Sequence, residues 1–359
     1  MNTFGTRLRL STFGESHGVA IGGMLDGLPS NVKIDESFIQ NELDKRKPGG
    51  KFATSRKESD KVQILSGVFD GLSTGCPIGF IIHNENQKSS HYENIKDIFR
   101  PGHADYTYFM KFGTRDYRGG GRSSARESAI RVCGGAISQL LLSNFDINVQ
   151  SAVYSVGNIS SKFKNIDFKY AQNSEIYACS KEFEDKFKQE IINAKNSHNS
   201  VGGSVITKIT GAMAGLGEVL YAKFDAKLAE AMMGINGVKG VEIGNGINSA
   251  KSNGFENNDF MDINGFLTNH SGGILGGITN GNEIIIKTHF KPTPSIFLQE
   301  PTIDINLKEC ICELKGRHDP CIAIRGSVVA TAMARLVCAD MLLLNASANL
   351  ENLKKIYKD

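Results

Sequence analysis

Residues 117–128 read Tyr-Arg-Gly-Gly-Gly-Arg-Ser-Ser-Ala-Arg-Glu-Ser. Gly119, Gly120 and Gly121 strip every Cβ from a stretch of backbone, and Arg122 and Arg126 then bracket two serines. Ser124-Ala-Arg-Glu127 fits a capping box with Ser124 at the N-cap, and Ile130, Cys133, Ile137 and Leu141 follow as one apolar stripe. The pattern predicts a helix over residues 124–142 that starts directly after bare backbone. A helix start offers unpaired N–H groups and the positive end of its dipole, so a phosphate is the natural guest. Arg122 and Arg126 would add charge to it, and Ser123 and Ser124 hydroxyls. A glycine-rich turn with solvated arginines and a structural cap is the plainer alternative.

Outward from this stretch, helical periodicity recurs over residues 35–45, 182–195, 221–233 and 328–344. Strand-like runs occupy 62–68, 78–83, 149–156, 204–210 and 283–288. The two kinds are mixed without regular βα alternation, which argues against a TIM barrel or a doubly wound nucleotide fold and for an α+β or layered α/β body. Neither GxGxxG nor GxxxxGK[ST] occurs, so a dinucleotide site or a P-loop has no motif to stand on. The chain reads as a single domain over 1–359, with flexible loops near 45–57, 196–203 and 248–262.

Charge is nearly balanced, with 41 Lys and Arg against 38 Asp and Glu, so neither a nucleic-acid nor a membrane surface is expected and any basic site is local. Seven cysteines without a CxxC pair suit neither a disulfide framework nor a zinc module and point to a reducing, cytoplasmic compartment. The apolar run at 328–344 carries Arg335 and Asp340 and falls short of the roughly 20 residues of a membrane span, so it reads as a buried helix. The opening MNTFGTRLRLSTFGESHG lacks the basic and apolar regions of a secretory signal.

Basic residues gather in Lys45-Arg46-Lys47, Lys51 and Arg56-Lys57, and again at Arg100, Arg115, Arg118, Arg122, Arg126 and Arg131. The first group is equally a solvated patch at a helix C-terminus, but the whole supply suits a small multi-anionic ligand. Three of the eight histidines sit in Gly/Arg/Asp turns: His17 in GESHG, His103 in RPGHAD and His318 in GRHDP. A lone histidine is more often structural than catalytic; three in such company are candidates for proton transfer. The others show no metal-ligand spacing, and no metal is expected. Asp319, two residues after Arg317, reads in isolation as half of a local ion pair.

Read together, TFGESHG, FRPGHADYTY, YRGGGRSSARES, INGVKGVEIG, KPTPS and GRHDPC run in order from residue 12 to residue 321 and closely resemble chorismate synthase. The resemblance implies a β-α-β sandwich, with helices between antiparallel sheets and an internal pseudo-twofold. It implies a homotetrameric lyase of the shikimate pathway that removes phosphate and a C6 proton from 5-enolpyruvylshikimate 3-phosphate by anti-1,4 elimination, giving chorismate. Reduced FMN (FMNH2) would be required without net redox change. At 359 residues the chain has no room for a reductase domain, so a separate NADPH-dependent flavin reductase is expected to supply it.

The same resemblance implies that His17 protonates or correctly charges the flavin, that His103 protonates the departing phosphate, and that Asp319 holds or relays a proton. FMN contacts would come from Arg122, Ser123, Ser124, Asn236, Gly237, Gly276, Lys291, Pro292, Thr293, Pro294, Ser295 and Arg317. Arg46, Lys51, Arg126 and Arg131 would receive the anionic substrate. Lys45, Lys47 and Lys51 stand where the family's pattern has arginines, which keeps the charge and loses the bidentate fork. Two rival readings differ in chemistry: an RNA-binding protein, weakened by Asp116 and Glu127 among the arginines, and a flavin-dependent oxidoreductase that consumes reductant.

Overall fold

Alternation of buried and exposed residues builds two antiparallel sheets. In Ile78–His83, Ile78, Phe80 and Ile82 face inward, and Ile284, Ile286 and Phe290 do so in Ile284–Phe290. The structure is a computed structural model that describes residues 1–47, 52, 60–85, 89–314 and 318–358. In spatial order the first sheet runs Thr3–Phe4, Arg9–Phe13, Ala20–Asp26, Ile78–His83 and Val62–Ile64. The second runs Val238–Ile243, Ile284–Phe290, Gly203–Thr210, Asn148–Val156 and Ile159–Ser160.

The α-helices are α1 (Glu36–Arg46), α2 (Asp105–Phe112), α3 (Ser128–Leu142), α4 (Phe168–Ala171), α5 (Lys181–Asn196), α6 (Phe224–Met233), α7 (Gly254–Asn257), α8 (Ala323–Asn345) and α9 (Leu350–Tyr357). α3 lies on the first sheet, α8 on the second, and the two pack against each other in the middle. Each half of the chain thus contributes a five-stranded sheet and a long central helix, the β-α-β sandwich with an internal pseudo-twofold. A Cβ on Gly135 of α3 would lie 2.5 Å from Ala332 Cα of α8, so the central helices touch backbone to backbone. α8 is apolar on nearly every side because both its neighbours are protein. Its three charged residues are all engaged: Arg325 pairs with Asp319, Arg335 pairs with Glu42 of α1, and the Asp340 carboxylate accepts from the N–H groups of Thr6, Arg7 and Leu8 at 2.8, 2.6 and 2.8 Å.

Several boundaries differ from the sequence reading. The helix expected at 124–142 starts at Ser128, after a 3-10 turn over Ala125–Glu127. Ser124 caps that turn by accepting from the Arg126 N–H at 3.4 Å, and Glu127 pairs with Arg131 at 2.9 Å, so the capping box is not closed. The strand expected at 62–68 ends at Ile64, because Gly67 turns with φ +78° where a Cβ would strike the Pro77 carbonyl oxygen at 2.7 Å. Gly22 and Gly23, a pair more typical of a turn, lie inside a strand. A Cβ on Gly23 would sit 2.5 Å from Ile130 of α3, so that glycine lets helix and sheet approach.

Candidate active site

The three glycines of the opening stretch have φ of +64°, +90° and +53°, backbone that side chains avoid. What approaches this bare backbone is protein. A Cβ on Gly119 would lie 2.4 Å from His17 Cε1, one on Gly120 would lie 3.0 Å from His103 Cε1, and one on Gly121 would lie 3.0 Å from Asp116 Cβ. Two imidazoles therefore rest on consecutive glycines. His17 is buried, with Nδ1 3.2 Å from Ser16 Oγ and its ring edge-on to Tyr92 at 5.2 Å. Ser16 hooks this loop onto the glycines: its hydroxyl donates to the Arg118 carbonyl and its N–H to the Gly121 carbonyl, both at 3.2 Å.

His103 lies in the turn before α2, with Nδ1 2.9 Å from Asp105 Oδ1. Burial pushes its imidazole below the ordinary 6.5; the Asp105 contact pulls upward, while Arg100 and Arg115 add to the lowering. Arg46 and Arg126 converge from α1 and the turn before α3 onto Asp60, which is 0% exposed. Arg46 Nη2 stands 3.3 Å from Asp60, and Arg126 also donates through Nε to Asn84 Oδ1 at 3.0 Å. A carboxylate shared by two guanidiniums is the arrangement that makes burying them tolerable.

These groups form one wall of a cavity of about 330 Å³ lying between the two halves of the chain. Opposite stand Asn236, Gly237, Lys291, Thr293, Pro294 and Ser295, and at the back lie His318, Asp319 and Arg325. Asn236 Nδ2 donates to the Ser123 carbonyl at 3.1 Å and joins the walls, whereas its Oδ1 is buried with no hydrogen-bond partner among the described residues. Lys291 donates to the Gly102 carbonyl, and burial, then Lys239, lowers its ammonium pKa below the usual lysine range. Thr293 donates to the Asp319 carbonyl at 2.7 Å, and the Asp319 carboxylate stands 3.3 Å from Arg325 Nη1. Ile235, Phe290, Ile322 and Val329 supply apolar surface.

The sequence model of a family described as Chorismate synthase matches residues 8–343. The chain belongs to the chorismate synthase family. It is 66% identical to the chorismate synthase of Campylobacter hominis, with 99% of this chain and all of that one aligned. It is 62% identical to that of Helicobacter hepaticus, with both chains covered in full. A crystal structure of chorismate synthase superposes with a TM-score of 0.75 at 29% identity, covering 99% of this chain and 97% of the other.

Of the residues that the chorismate synthase resemblance singled out, His103, Asp319, Ser123, Ser124, Asn236, Gly237, Lys291, Thr293, Pro294, Ser295, Arg46 and Arg126 line this one cavity. His17 stands behind its glycine wall. Arg122 faces the other side of the glycine loop, in a depression of about 690 Å³ that Ser123 also borders, and donates to Thr12. Arg131 does not line the cavity and donates to the Gly234 carbonyl at 2.7 Å, two residues before Asn236. Pro292 packs over Gly202, and Gly276 is exposed in the turn between Ile274–Leu275 and Ile278–Thr279. Lys51 and Arg317 lie outside the described residues. Sequence reasoning assigned nothing to Asp60, Arg325 or Asp105. Only Asp105 left a local trace, two residues after His103 in RPGHAD.

Proposed function

We propose that the protein is a chorismate synthase that converts 5-enolpyruvylshikimate 3-phosphate to chorismate and phosphate by anti-1,4 elimination with reduced FMN. The observation that carries this reading is convergence: motifs drawn from residues 99–108, 117–128, 235–244, 291–295 and 318–321 meet around one cavity in a chain of that family. The cavity suits the flavin chemically. Its apolar residues fit a flat ring, the unpartnered Asn236 Oδ1 offers an acceptor to a ring N–H, and Lys291 with the Ser and Thr hydroxyls offers donors. Reduced FMN, when bound, supplies electron density that eases departure of the phosphate and is not consumed.

The chain's own groups do the rest. Arg46 and Arg126, held by Asp60, receive the anionic substrate, and His103 gives its proton to the departing phosphate. Asp319, oriented by Arg325, takes onward the proton lost from C6, and His17 keeps the flavin correctly charged. Each proton transfer is worth about 10²- to 10⁴-fold in rate.

We further infer a single catalytic domain in a cytoplasmic homotetramer. Exposed apolar side chains at Val219, Leu220, Tyr221, Phe255, Met261 and Ile263 support subunit contacts. Reduced FMN then comes from a separate NADPH-dependent reductase. Steady NADPH oxidation by the purified protein with FMN alone would contradict that last point. The main test is anaerobic, with dithionite-reduced FMN and substrate, following phosphate and chorismate together. Equal yields that vanish with oxidised FMN support the elimination; stoichiometric consumption of reductant would replace it with an oxidoreductase.

A further inference from the structure

Asp105 opens α2 and is 3% exposed. Arg100 grips it through both ends of its guanidinium, Nε donating to Oδ2 at 2.7 Å and Nη2 to Oδ1 at 2.9 Å, and its backbone N–H donates to Oδ2 at 3.2 Å. Arg115 Nη1 stands 3.3 Å from Oδ1. Burial alone would raise the pKa of this carboxyl, but the hydrogen bonds from Arg100 and His103 and the nearby positive charge hold it well below the carboxylate range. Asp105 is therefore ionised across neutral pH, and a carboxylate can only accept hydrogen bonds.

The hydrogen in the 2.9 Å contact with His103 then belongs to His103 Nδ1. With Nδ1 committed, Nε2 is the ring nitrogen that meets what enters the cavity. It lies over Gly120, where a Cβ would stand only 3.3 Å away. Two guanidiniums against one carboxylate leave the surroundings of His103 net positive, which suits a phosphate.

We propose that Asp105 is a positioning residue that holds the ring proton of neutral His103 on Nδ1, so that Nε2 faces the leaving phosphate: Nε2 takes up a proton from water to form the imidazolium, gives that proton to the phosphate, and the ring returns to the Nδ1–H form. The mechanistic half rests on the elimination proposed above; the tautomer does not. The arrangement follows the logic by which a carboxylate behind a histidine sets which nitrogen faces the reaction.

Solid-state ¹⁵N NMR of the full chain with imidazole-labelled histidine, using H103Q to identify the signal, reads the tautomer directly. The expected result is a proton on Nδ1 of His103. A neutral Nε2–H tautomer with no proton on Nδ1 in the wild-type protein would overturn the proposal, and needs no variant to be seen. In D105N the amide can turn either end to the ring, so the Nε2–H form should appear. kcat should then fall by about 100-fold, with KM and flavin affinity within about threefold. A D105N protein that keeps the Nδ1–H signal, or turns over within threefold of wild type, would equally overturn it. A wild-type protein that forms no chorismate would sink the functional reading and leave the tautomer to be decided by its own spectrum.

Discussion

Across the cavity, the two walls meet a ligand in different ways. On one, Arg46 and Arg126 close on the buried Asp60, and His103 closes on Asp105, which Arg100 and Arg115 already hold. On the other, Asn236, Gly237 and residues 291–295 present an amide, backbone, hydroxyls and a lysine, and Asn236 Oδ1 has no hydrogen-bond partner among the described residues. The first wall has its charges oriented before anything binds, the condition under which electrostatic stabilisation of a reaction is largest. The second keeps an open valence and apolar surface, which favours holding a ligand. Damage to the first wall should therefore appear in turnover, and damage to the second in affinity.

The largest effect is expected from Gly119→Ala. The new methyl would have to occupy φ +64° and the space 2.4 Å from the His17 ring, so His17 and the Ser16 hook must both move. Turnover should fall by at least about 100-fold while circular dichroism keeps the native spectrum; a rate near wild type would show that the seat of His17 is irrelevant. Next comes Asn236→Ala, which removes the open acceptor. Reduced-flavin affinity should weaken by about tenfold, roughly 1.4 kcal/mol, as read by anaerobic titration.

A pH series on D105N sharpens the account of the first wall. Asp105 has a folded pKa far below its ordinary 3.8, so its contribution to stability is complete above that value and is lost as pH falls from it toward the depressed one. The Tm gap between wild type and D105N should be widest near neutrality and should narrow below about pH 4. A gap constant with pH would mean that Asp105 acts by packing alone. The smallest effect belongs to Thr293→Val, which deletes the 2.7 Å hydrogen bond to the Asp319 carbonyl on the second wall. Turnover and flavin affinity should each change by less than about threefold.

Strands rich in β-branched residues, such as Gly203–Thr210 and Ile284–Phe290, are legible in the amino-acid sequence alone. Ala20–Asp26 is not, because Gly22 and Gly23 are poor strand formers and Gly23 is explained only by Ile130 arriving from α3. The triple glycine correctly announces a close approach to backbone but not its occupant: local sequence suggests an anion, and two histidines from distant turns take the places on Gly119 and Gly120. The arginines that line the cavity are visible as local charge. Asp60 is not, because its partners, Arg46 and Arg126, lie on either side of it in the chain and meet it only on folding.

The most direct measurement is the anaerobic single-turnover rate of H103A and N236A with reduced FMN at saturation. Division of labour between the walls predicts that N236A recovers a rate close to wild type once flavin is saturating, while H103A remains slower by about 10²-fold or more. Equal slowness of both variants at saturation would contradict it, since a wall that only binds cannot limit a step measured after binding is complete.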